Sequence, residues 1–105
     1  MPPICVGDKI KFVSEKRRYT VRAVVAPFVV CTKPHNPTHE FIYTILDFSR
    51  GIRGPVDSLW HGYGFGTDEG CELLCADLVA GEAAVSTRQG LELDIERIDT
   101  EGGGR

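Results

Sequence analysis

The chain has 105 residues and a mass of 11.6 kDa, of which 42% are hydrophobic and 26% charged. That balance belongs to one small globular domain and excludes wholesale disorder, a collagen-like repeat and a coiled coil. No apolar run approaches the roughly 20 residues of a membrane-spanning helix, and the net charge of −3 argues against a general nucleic-acid coat.

Val6-Gly7-Asp8 reads as a turn that opens the first strand, in which Ile10 and Phe12 alternate with Lys9 and Lys11 up to Val13. Ser14 to Arg18 is polar and reads as a hairpin tip. Tyr19 to Ala26 is rich in β-branched residues and makes a second strand. Pro27 cannot donate to a ladder and marks a break or an edge. Phe28 to Thr32 is a short third strand, with Cys31 as small core filler. Pro34 and Pro37 make Lys33 to Glu40 a stiff loop. Phe41 to Phe48 is apolar on both faces, with Phe41, Tyr43 and Ile45 on one and Ile42, Leu46 and Phe48 on the other. Such a strand belongs at the centre of a sheet or in a barrel wall under a helix.

Ser49 to Gly66 reads as irregular, with five glycines between Gly51 and Gly66 and the rings of Trp60, Tyr63 and Phe65. Thr67-Asp68-Glu69 is a helix start, a hydroxyl cap followed by acids that suit the helix dipole. Cys71, Leu74, Cys75 and Leu78 form one apolar stripe, and Gly81 stops the helix. Leu91 to Glu96 alternates cleanly and directs Leu91, Leu93 and Ile95 inward. The pattern predicts a mainly β (α+β) chain: a small antiparallel barrel of SH3-like or OB-like type with one α-helix, about 67–80, before the last strand. An open α+β sheet with the helix on one face is the alternative. One domain spans 1–98, and 99–105 is a glycine-rich flexible tail.

Charge is segregated: residues 1–33 sum to +5, residues 34–53 to zero and residues 54–105 to −8. The basic side chains Lys9, Lys11, Lys16, Arg17, Arg18 and Arg22 have two readings. They meet a phosphate backbone, with Tyr19 or Phe12 stacking bases; or they lie solvated or paired with the acidic half of the same domain, which is favoured. Cys71 and Cys75 stand one helical turn apart and present a weak metal alternative, but they coincide with the apolar stripe, so core packing is the favoured role. No nucleophile elbow, phosphate-cradling loop or framed carboxylate pair is present. The chain is therefore read as non-enzymatic, with no cofactor. Trp60, His61, Tyr63 and Phe65, with Arg50 and Arg53 alongside, are the candidate partner-binding residues, because exposed rings with polar handles anchor interfaces.

Several blocks carry a resemblance when taken in order: Val6-Gly7-Asp8-Lys9-Ile10-Lys11-Phe12, Tyr19-Thr20-Val21-Arg22-Ala23-Val24, Cys31-Thr32-Lys33-Pro34 and Tyr43-Thr44-Ile45-Leu46-Asp47. Gly51-Ile52-Arg53-Gly54-Pro55 and Leu93-Asp94-Ile95-Glu96-Arg97-Ile98 complete the series. Together they resemble a group of small uncharacterised proteins of actinobacteriophages, over residues 6 to 98. The resemblance implies a phage accessory protein in the host cytoplasm and carries over no activity and no functional residue. The N-terminus lacks the order of a secretory signal, in keeping with a cytoplasmic, reducing compartment and free thiols. The expected function is binding of a host or phage protein. Nucleic-acid binding through the basic strands is the alternative, and a virion or assembly component a further one.

Overall fold

A computed structural model of the chain describes residues 2–35, 40–57 and 68–100. Seven strand segments and one helix follow in the order β1 (Lys9–Phe12), β2 (Tyr19–Val25), β3 (Phe28–His35), β4 (Glu40–Asp47), β5 (Ile52–Gly54), α1 (Asp68–Ala80), β6 (Leu91–Glu92) and β7 (Ile95–Asp99). All pair antiparallel in one curled sheet of order β6-β5-β4-β3-β2-β1-β7. The mainly β architecture with one helix is as the sequence predicts, in the form of a half-barrel.

The two ends of that sheet are successive pieces of one stretch of chain. Leu91–Glu92 pairs with β5, and Ile95–Asp99 pairs with β1. Between them Leu93 donates its N–H to Gly51 O at 3.0 Å, and Asp94 O accepts from Val13 N at 2.9 Å. The last stretch therefore turns at Leu93–Asp94 from one neighbour to the other, and the backbone hydrogen bonds run round the sheet. This corrects the expectation of a single regular strand over Leu91 to Glu96. Leu93 and Ile95 do pack inward, but Leu91 is 53% exposed.

Two apolar layers hold the sheet. Ile10, Phe12, Tyr19, Val21, Val29, Cys31 and Leu46 fill the concave side. Val30 and Ile45 face the helix and meet Cys71, Leu74, Cys75 and Leu78, the predicted stripe, together with Val85. The two-faced β4 is thus a wall between both layers, as its composition predicts. Strand β2 changes sides part-way. Its register slips between Val21 and Ala23, leaving Arg22 as the extra residue of a bulge. Val21 and Val24 consequently face the concave layer, while Ala23 and Val25 face the helix.

The loop expectation for Lys33 to Glu40 is too long: β3 continues through Pro34 to His35, and β4 begins at Glu40. Likewise, Ser49 to Gly66 contains the short strand β5, and β7 extends to Asp99, one residue past the expected domain end. Helix α1 ends where predicted. Gly81 adopts φ +78°, and the Gly81 and Glu82 amides reach back to Leu78 O and Asp77 O at 3.3 and 2.8 Å. This is a Schellman arrangement, which satisfies carbonyls that the helix leaves open.

Candidate functional site

The strongest polar constellation among the described residues centres on Arg53, and it is structural. Arg53 lies on β5 and is 2% exposed. Its Nε donates to Asp94 Oδ1 at 2.9 Å, Nη1 to Glu15 Oε2 at 2.8 Å and Nη2 to Ser14 Oγ at 3.0 Å. The guanidinium also lies 3.9 Å from the Phe12 ring centroid. Glu15 accepts further from Lys33 Nζ at 2.7 Å and from the Tyr19 hydroxyl at 3.1 Å. Burial alone would raise the Glu15 carboxyl, yet the hydrogen bonds from Lys33 and Tyr19 and the nearby cations hold it below its ordinary value. Burial, then the charge of Glu15, pushes the Tyr19 phenol up. All three guanidinium nitrogens are engaged inside the domain. Arg53 is therefore not the partner-contacting side chain expected from the sequence. It ties β5 to the first hairpin and to the turn of the last stretch.

Arg50, its expected companion, is exposed at the turn after β4. Nε donates to Asp47 Oδ2 at 2.7 Å and Nη2 to Val85 O at 3.0 Å. Burial would raise Asp47, but bonds from Ser49 and Arg50 lower it. Trp60, His61, Tyr63 and Phe65, with the capping Thr67, lie outside the described residues.

Three of the seven basic side chains of residues 1–33 pair with the acidic half. Arg18 Nη1 lies 3.0 Å from Asp99 Oδ2, Arg22 Nη2 3.2 Å from Asp68 Oδ1, and Lys11 Nζ 3.7 Å from Glu96 Oε2. Lys9 Nζ donates to Thr20 Oγ1 at 2.6 Å. Lys16 and Arg17 are exposed at the hairpin tip. The pairing that the charge asymmetry favours is thus present, although exposed pairs of this kind contribute little each.

An open groove of about 430 Å³ runs between β2 and α1, lined by Val6, Arg22, Ala23, Val25, Asp68, Cys71, Glu72 and Cys75. The local sequence builds it: the bulge at Arg22 turns Ala23 and Val25 toward the helix, and the helical period sets Cys71 and Cys75 on the facing side. Its volume is that of a small-ligand pocket or a seat for a large apolar side chain. Arg22 and Asp68, both in its lining, form an ion pair. Burial pushes the Cys71 thiol up, opposed by Arg22 and assisted by Asp68; burial, Cys71 and Glu72 do the same for Cys75. Both thiols are thereby kept neutral, which suits packing rather than attack. Among the described residues no group of three or more His, Cys, Asp or Glu is arranged to hold a metal ion. No helix among them is long and apolar enough to cross a membrane.

No motif or single period in the sequence marks the groove. Its only sequence signal is the doublet of apolar residues on both faces of β2, which a strand without a bulge does not require. No family model, curated protein or solved structure matches this chain.

Proposed function

We propose that this chain is a non-enzymatic accessory protein of phage type that acts in the cytoplasm by binding a host or phage protein. The binding surface is the groove between β2 and α1, together with the ring-bearing segment 58–67 that joins Asp57 to the start of α1. The observation that carries this reading is the groove itself, open to solvent and walled by Val6, Ala23, Val25, Cys71 and Cys75. Apolar seats rimmed by charge are where partner side chains anchor. The neutral thiols and the buried, ion-paired guanidinium of Arg53 offer little to a reaction. The nucleic-acid alternative has weaker support, because Lys11, Arg18 and Arg22 spend their charge on Glu96, Asp99 and Asp68.

The test is retention from a nuclease-treated actinobacterial lysate on the immobilised full chain. A protein retained in stoichiometric amount, and lost with the double variant Trp60→Ala/Tyr63→Ala, is the expected result. Retention that disappears with nuclease, or that the ring variant leaves unchanged, contradicts it.

A further inference from the structure

A soluble surface helix ordinarily keeps one polar side, and α1 does not. From Leu73 to Ala80 every residue except Asp77 is apolar. Leu74, Cys75 and Leu78 point into the domain, while Leu73 and Val79 on the outward side are 56% and 68% exposed. Ala76 and Ala80 are also exposed and leave room between those two side chains for another backbone to approach. Glu72, Cys75 and Val79 follow at i, i+3 and i+7, which sets them in one row along the helix. Glu72 and Cys75 also line the groove, so the groove and the outward face form one continuous surface.

Every charge that α1 contributes has the same sign. The helix carries Asp68, Glu69, Glu72 and Asp77 and no Lys or Arg. Asp68, Glu69 and Glu72 are exposed and cluster in its first turns, leaving the later turns apolar. A second copy of the chain fits this surface poorly, since its α1 carries no Lys or Arg to meet Glu69 and Glu72, and both chains have a net charge of −3.

We infer that this surface docks a basic amphipathic helix of the partner protein. Its apolar side chains seat on Leu73 and Val79 and in the groove, and its Lys or Arg side chains meet Glu69 and Glu72. The inference rests on the protein-binding reading above and names the chemistry of the partner. Helix-on-helix packing through small residues buries the exposed ridge, and opposite charge sets the orientation and quickens encounter.

The probe is a fluorescent amphipathic Leu/Lys peptide of about 15 residues, long enough to form a helix on binding, titrated into the full chain. Its Leu/Glu counterpart is the control. Saturable binding of the Leu/Lys peptide alone is expected, with amide shifts confined to residues 68–80 and to Val6, Ala23 and Val25. Leu73→Ser/Val79→Ser and, separately, Glu69→Gln/Glu72→Gln each weaken binding about tenfold or more. Both double variants stay folded with Tm within a few degrees of the parent, because these side chains are exposed and Glu69→Gln removes only a first-turn charge that suits the helix dipole. Glu96→Gln, on β7, leaves binding unchanged. The inference is overturned by equal binding to the Leu/Glu peptide, by shifts elsewhere, or by variants that bind as the parent does. It is also overturned if the chain alone sediments as a dimer that Leu73→Ser/Val79→Ser disperses, since a second copy then covers the face. If a lysate protein is retained through Trp60 and Tyr63 but ignores Leu73→Ser/Val79→Ser, this inference fails while the broader reading stands.

Discussion

Arg53 shows how one side chain decides between structure and function. Burying a guanidinium is costly unless it is paired, and here each of its three nitrogens donates one hydrogen bond, to Asp94, Glu15 and Ser14, while Phe12 supports the plane. Arg53→Met leaves Glu15 and Asp94 facing an apolar stem, and a loss of about 3 kcal/mol is expected in urea denaturation. Arg53→Lys does not restore the parent, because an ammonium lacks the planar fork that reaches three acceptors. The same cluster sets the acid limit. Burial tends to raise Asp94, but bonds from Ser14 and Arg53 lower it, and Glu15 is lowered likewise. The unfolded chain, with ordinary carboxyls near pKa 3.9–4.3, then takes up protons first as pH falls. The contribution of these carboxylates is full above about pH 5, drains below it, and is smaller in Arg53→Met. At the alkaline end the sign reverses. Burial raises Cys31 and the groove thiols, so their contribution is full below an unfolded thiol pKa of about 8.5 and is lost as pH rises.

At the scale of elements, local patterns were readable wherever one period held. Helix α1 follows from its acidic start, its stripe of Cys71, Leu74, Cys75 and Leu78 and its glycine stop. Strand β4 follows from two apolar faces. Local patterns fail where the period changes. The bulge at Arg22 swaps the faces of β2, the turn at Leu93–Asp94 splits the last strand, and β5 is three residues that follow Gly51 and end on Gly54, too short to show alternation. Pro34 sits in a strand because pairing continues beside it as far as His35 and Glu40. Close packing next to β5 explains a glycine that sequence alone leaves unexplained. A Cβ on Gly90 would run into the carbonyl oxygen of Ser86, which is backbone and cannot swing aside. Gly90→Ala is therefore expected to lose about 1–3 kcal/mol in urea denaturation. A parent-like midpoint would show that the β5–β6 junction is loose.

For the whole molecule, the segregation of charge along the chain becomes partial neutralisation across it, with Arg18, Arg22 and Lys11 on Asp99, Asp68 and Glu96. That outcome is legible in the composition. The groove is not, because it depends on a bulge and on the approach of a helix to a strand far away in sequence. The surface proposed for a partner is the one on which Leu73 and Val79 stay exposed beside the exposed acids Glu69 and Glu72 of α1. Photo-crosslinking in actinobacterial cells tests this most directly, with benzoylphenylalanine placed at position 73 on α1 or at position 17 on the basic tip. A discrete protein adduct from position 73 and none from position 17 is the predicted result; an adduct from position 17 alone, whether protein or nucleic acid, would contradict it.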